Sequence, residues 1–395
     1  VAYGQVTAKS AWIHHRTAAP TTRMISTTRF EPTPTLTFHG SKVQQSDSRL
    51  VQHYDDLTRG NKLSWTGHYH LRRMLGKGGQ GEVYLTEVRG TDGFTVPAAM
   101  KIFSPERYKD TRSYEDAMAR VASIAAKVAL IQNDNLLDVQ NFFERHRIRV
   151  MLMEWVDGYD LRQLMSPKCL ELLQSRLPIK RWRYINEVIL TAGPEQSRFK
   201  AGVAVAIVRE CLAALAALHR EGMVHGDIKP ANIMLKRSGH TKLIDLGSAF
   251  FYDDPPNERD CTPLYAAPEV LENQRSSPKS DLASIGYVLI ELLSGKNPFA
   301  DATKLRDLLV AKRELPKNLH KILPKEVVVN DLLMSFLKGL IAYDPNKRFP
   351  SAEAAEHVDQ GAAAFHRQLI ISNMSTEYDN DIRVWLEELR ELETD

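Results

Sequence analysis

Residues 225–232 read His225-Gly226-Asp227-Ile228-Lys229-Pro230-Ala231-Asn232, and Asp245-Leu246-Gly247 follows at the end of an apolar run. The first stretch gathers a carboxylate, an ammonium and a carboxamide in one short loop. The second adds a carboxylate from a neighbouring loop. Two carboxylates and a carboxamide are hard oxygen ligands, the set that holds Mg²⁺ on a polyphosphate. Singly, each is more often a turn residue than a ligand; their joint order carries the argument.

Upstream, Lys101 stands within Ala98-Ala99-Met100-Lys101-Ile102, among apolar strand residues where an unpaired ammonium is costly and needs an anion. Residues 76–83 place Gly76, Gly78 and Gly81 at G-x-G-x-x-G spacing. This loop lies between two predicted strands and does not open a helix, which argues against a dinucleotide fold. A glycine hairpin lets backbone N–H groups approach phosphate oxygens and close over a nucleotide. Short β-type runs at 69–75, 82–89, 96–103, 136–144 and 148–154 flank a helical period from Asp110 to Gln132, with Ala117, Val121, Ile124, Val128 and Ile131 on one face. After Asp157-Gly158 the pattern is mostly helical, at 201–221, 280–294, 302–313, 327–341 and 351–370, with short strands at 233–236 and 241–244. The expected fold class is α+β and bilobal, a small antiparallel β-sheet lobe followed by a larger helical lobe.

Composition sets limits. The 395 residues are 43% hydrophobic, enough for a core, and 52 Lys and Arg against 49 Asp and Glu leave only +3, so no global field points to nucleic acid or a membrane surface. Three widely spaced cysteines argue against a disulfide framework or zinc site and fit a reducing compartment. The longest apolar stretch, near 201–218, is broken by Arg209 and Glu210, short of a bilayer span. A soluble, cytoplasmic protein is expected.

Together these segments resemble the serine/threonine protein kinases over about residues 68–366. Later landmarks extend the likeness: Ala267-Pro268-Glu269 resembles the A-P-E that closes the activation segment, Asp281 with Gly286 the D-x-x-x-x-G helix, and Arg348 the arginine that pairs with Glu269. The resemblance implies ATP and Mg²⁺. Gly76, Gly78 and Gly81 would cover the phosphates, Lys101 would bind the α- and β-phosphates, and Asn232 and Asp245 would hold Mg²⁺. Asp227 would orient the acceptor hydroxyl and take its proton, Lys229 would neutralise the transferring group, and Thr262 would contact both. Val83, Ala99 and Met234 would sandwich adenine, with Met153 behind it, Glu154 and Val156 offering backbone groups, and Asp160 meeting the ribose. The implied partner is a protein with Ser/Thr acceptors; no nucleic-acid partner or membrane span is expected, and the oligomeric state is not legible.

Departures are Gly226 for the usual arginine before the catalytic Asp, and Leu246 for phenylalanine. With no cation at 226 and an acidic segment after Asp245, activation-segment phosphorylation is expected to be unnecessary. For the helix carboxylate that pairs with Lys101, counting back from Asp134-Asn135 lands on Ile124, whereas counting forward favours Glu115 or Asp116; Glu115 is the choice. A nucleotide-binding scaffold would ordinarily lack an equivalent of Lys101, Asp227 or Asp245. A small-molecule kinase of related fold would lack Lys229-Pro230 and the Thr262 to Glu269 platform.

Expected boundaries are a flexible N-terminal extension at 1–66, lobes at 67–157 and 158–366, and a helical tail at 367–395. Residues 1–40 are rich in Thr and poor in acids, a composition organelle transit peptides share. An insertion at about 166–200 carries Lys168, Arg176, Lys180, Arg181 and Arg183 beside Trp182 and Tyr184 and reads as a solvated amphipathic insert. Trp385, Leu389 and Leu392 mark one face of the tail, expected to pack on the large lobe.

Overall fold

The computed structural model describes residues 36–37, 47–60, 62–63, 69–90, 92–256, 260–371 and 378–394. Most of the extension expected to be flexible lies outside them. Residues 48–59 do not fit that expectation: Ser48–Arg59 is a helix capped by Asp47, whose carboxylate accepts from Arg49 N–H, and Leu50, Tyr54 and Leu57 are buried. Their spacings of four and three make one apolar stripe. Asp47 also accepts from Thr111 at 3.1 Å, tying this helix to the next.

The small lobe is built on antiparallel strands. Strand Gly81–Arg89 pairs with Arg73–Gly78 on one side and Thr95–Phe103 on the other; Ile148–Glu154 and Val139–Arg145 complete the sheet. Gly78 opposes Gly81, Val83 opposes Lys101 and Ala99 opposes Met153. Alternate residues of a strand share a face, so Ala99 and Lys101 look into the cleft while Met100 and Ile102, both fully buried, look into the core. Helix Thr111–Val128, capped by Asp110, covers that core with Tyr114, Met118, Ile124, Ala125 and Val128.

In the larger lobe, helix Ala201–Arg220 is largely buried and helix Pro278–Ser294 almost wholly so. The first is long and apolar enough to cross a membrane by length and composition, so Arg209 and Glu210 do not interrupt it as expected. They sit on its polar edge, where Arg209 meets Glu356 and Glu210 meets His240, and most of the rest of the helix is core. The helix predicted to stop at 313 runs from Leu305 to Ile322 through Pro316, because Leu308, Leu315 and Leu319 continue the buried stripe. Those predicted at 327–341 and 351–370 each break in two, at Asn330 and before Gly361.

The insertion is no solvated excursion. Pro167–Arg176 and Ile179–Val188 are helices that bury Cys169, Leu173 and Ile185, and the tail helix Tyr378–Thr394 lies against them with Ile382, Trp385, Leu386 and Leu389 buried. Arg181 donates to both oxygens of Glu388 at 2.7 and 2.9 Å, and Tyr184 to Asp381 at 2.8 Å. The basic residue singled out at 181 thus serves this packing. Burial also lifts the Cys169 thiol to about 12, which leaves it inert.

Candidate active site

A cavity of about 1080 Å³ opens between the lobes. Of the catalytic, nucleotide-binding and metal-binding residues expected from the sequence, all but Glu115 and Thr262 line it: Gly76, Gly78, Gly81, Val83, Ala99 and Lys101 from the small lobe, Met153, Glu154, Val156 and Asp160 from the connection, and Asp227, Lys229, Asn232, Met234 and Asp245 from the large lobe.

At the centre, Asp227 is buried and held from three directions. Its Oδ1 accepts from Thr262 Oγ1 at 2.7 Å; its Oδ2 accepts from Lys229 Nζ at 2.7 Å and Asn232 Nδ2 at 3.2 Å. Lys229 also reaches Thr262 at 3.1 Å. The loop is fixed from beneath by Asp281, which accepts the backbone N–H groups of His225 and Gly226 and a bond from His219. Burial pushes the Asp281 carboxyl up, but the bond and charge of His219, with His225 and the Gly226 N–H, carry it below its ordinary value. Gly226 has φ +78°, and a Cβ there would stand 2.9 Å from the Ser248 carbonyl oxygen, so a side chain as large as arginine would meet backbone strain.

Asp245 sits across the cavity and receives Lys101 Nζ at 2.5 Å. Burial raises its carboxyl, yet the Lys101 ammonium outweighs that and holds it at about 2. Asp245 is therefore a carboxylate throughout the neutral range. Asp160 caps a short helix through Gln163 N–H at 2.8 Å, and burial pushes its carboxyl up to about 6 despite that bond.

Glu115 is not where the sequence count places it. It bonds Arg147 at 2.8 Å on the outside of the lobe, and Asp116 pairs with Arg112 at 4.0 Å. The buried stripe of the Thr111–Val128 helix contains no acid; its polar face points to solvent, and the count back to apolar Ile124 marked the inward position. Glu115→Gln should consequently leave turnover within about twofold, since exposed ion pairs contribute little; a steady-state assay beside wild type checks this.

Three features escaped the sequence. Gln80 of the glycine hairpin accepts from Lys101 at 2.9 Å. Lys312 is fully buried, stands 4.0 and 3.9 Å from the ring centroids of Tyr287 and Phe299, and donates to the Leu264 carbonyl at 2.8 Å, pinning the segment after Thr262; burial carries its pKa well down. Its place among Leu308, Leu315 and Leu319 on one helical face was the available signal. Finally, Leu386, Arg390 and Glu393 of the tail line the cavity, with Glu393 accepting from Tyr159 at 2.8 Å and Arg390 meeting Asp157 at 3.3 Å.

The model of the protein kinase domain family matches residues 69–358. The chain is 30% identical over 290 residues to the serine/threonine-protein kinase PknD of Mycobacterium tuberculosis, covering 72% of this chain and 38% of that protein. It is 26% identical over 292 residues to a probable serine/threonine-protein kinase of Clostridium perfringens, covering 72% and 37%. With the serine/threonine-protein kinase PAK mbt of Drosophila melanogaster it shares 32% over 180 residues, 44% of this chain and 27% of that one. The chain spans little more than a third of the length of the two bacterial relatives.

Proposed function

We propose, since this chain belongs to the protein kinase family, that it transfers the γ-phosphoryl group of ATP to serine and threonine hydroxyls of protein substrates. The observation that carries this reading is the Asp227 carboxylate, clasped by Lys229, Thr262 and Asn232 in the cavity that also holds Lys101 and Asp245.

Asp227 accepts the hydrogen bond of the incoming hydroxyl and then its proton as the oxygen attacks. Lys229, already fixed by Asp227 and Thr262, places positive charge beside the group in transit. Lys101 holds the α- and β-phosphates, and the Gly76 to Gly81 hairpin covers them with backbone N–H groups. Val83, Ala99 and Met234 enclose the base. Mg²⁺ fits Asn232 and Asp245: the Asn232 amide nitrogen is committed to Asp227, which leaves its oxygen for a cation, and Asp245 is ionised. When bound, the metal neutralises charge on the polyphosphate. The Thr262 to Glu269 segment, pinned by Lys312 and by Arg348, supports a peptide acceptor over a small molecule.

The test is phosphoryl transfer from radiolabelled ATP with Mg²⁺ to a generic basic protein, followed by phosphoamino-acid analysis. Phosphoserine and phosphothreonine are expected. Nucleotide binding without transfer would put a scaffold in place of this reading. Because Gly226 supplies no cation to receive a phosphate, phosphatase-treated and untreated enzyme should differ by less than about tenfold in rate, about 1.4 kcal/mol of barrier. A larger loss, with mass spectrometry confirming removal of segment phosphate, would show that another basic residue receives it.

A further inference from the structure

We infer that Gln80, at the tip of the glycine hairpin, is the positioning residue for Lys101, in the place a helix carboxylate would otherwise hold. The inference rests on the reading of Lys101 as the phosphate-binding lysine. Lys101 is only 4% exposed, and a buried ammonium must have its protons accepted. Two acceptors meet it, Gln80 Oε1 at 2.9 Å and Asp245 Oδ1 at 2.5 Å, with the Phe103 ring centroid 5.2 Å away. The neighbouring helix cannot supply a third, since both its acids are engaged with arginines on the outside.

The Gln80 amide is fixed at both ends. A lysine only donates, so the atom facing it is the amide oxygen; the amide nitrogen then donates to Ser248 Oγ at 3.0 Å. The Gln80 backbone carbonyl accepts from Ser104 N–H at 3.0 Å, anchoring the hairpin tip to the end of the Lys101 strand. Gly247 leaves the space this requires: a Cβ there would stand 1.8 Å from Gln80 Oε1 and 2.9 Å from Lys101 Nζ. The chemistry differs from that of an ion pair. An ammonium has three protons; Asp245 and Gln80 take two, and the third is left for a phosphate oxygen. The same amide links the hairpin to the segment that begins at Asp245.

The experiment compares the full chain with Gln80→Met, which keeps length and removes both polar atoms, with Gln80→Glu, which keeps an acceptor for Lys101, and with Lys101→Met. Hydrogen bonds to charged groups are strong enough that Gln80→Met should lower kcat/KM for ATP roughly 10- to 100-fold. Calorimetric titration should show weakened binding of ATP with unchanged binding of adenosine, and Gln80→Glu should recover activity to within about threefold of wild type. That recovery and the ATP-to-adenosine contrast distinguish positioning from a packing role. Gln80→Met at wild-type activity while Lys101→Met is inactive would overturn the inference alone, as would failure of Gln80→Glu to recover, or tighter ATP binding by Gln80→Met, which would make the clasp a block. Wild-type activity in Lys101→Met would overturn the reading beneath it.

Discussion

Asp227→Asn will keep nucleotide affinity and lose on the order of 10²–10⁴-fold in kcat, the usual cost of removing a general base. The substitution preserves volume, so Lys101, Asp245 and the glycine hairpin stay in place and the phosphate cradle is untouched. It turns one acceptor oxygen into an NH₂ in a pocket where Thr262, Lys229 and Asn232 all donate. At least one of those bonds must be lost, and no atom remains to accept the hydroxyl proton. Single-turnover transfer beside titrated ATP binding separates the two effects. Transfer near the wild-type rate would remove Asp227 from the chemistry.

Arg348→Ala will destabilise the large lobe by about 3–5 kcal/mol, the cost of breaking a buried ion pair from one side. Arg348 forks onto Glu269 with both contacts at 2.7 Å and also donates to the carbonyls of Ala342 and Lys279. Without it, Glu269 is a carboxylate 4% exposed that retains the Ser280 hydroxyl at 2.8 Å. Arg348→Lys should recover little, because a point charge cannot make the fork. The midpoint and slope of urea unfolding measure the loss; a change under about 1 kcal/mol would mean that the segment closing at Glu269 is held mainly by other contacts, Lys312 among them.

What was legible in the sequence follows from range. Lys101 stands out among the apolar residues of its strand, the Asp227 to Asn232 loop is contiguous, and each could be read because its residues are neighbours along the chain. Lys101's partners were misplaced because counting along a helix presumes that the acid lies on the helix; Asp245 and Gln80 reach the lysine from segments distant along the chain, where neither helical nor strand period applies. Helix Ser48–Arg59 was readable from its Asp47 cap and its Leu50, Tyr54 and Leu57 stripe, but its many polar residues hid it within a threonine-rich, glycine-marked surround. The insertion and the tail each showed a surplus of apolar residues on one face. That each was the other's cover could not be seen, since local periodicity is silent about a pairing such as Arg181 with Glu388.

That mutual cover bears on where a usable fragment of this protein ends. The family match stops at 358, and a clone cut there would discard Trp385, which meets the Phe199 ring edge-on at a centroid distance of 6.1 Å. Phe199, now sealed, would lose that cover, inviting aggregation during expression. The same cut would strip Leu386, Arg390 and Glu393 from the cavity lining, so a shortened protein that survived purification would carry an altered cavity, and inhibitors selected against it would be selected against the wrong shape.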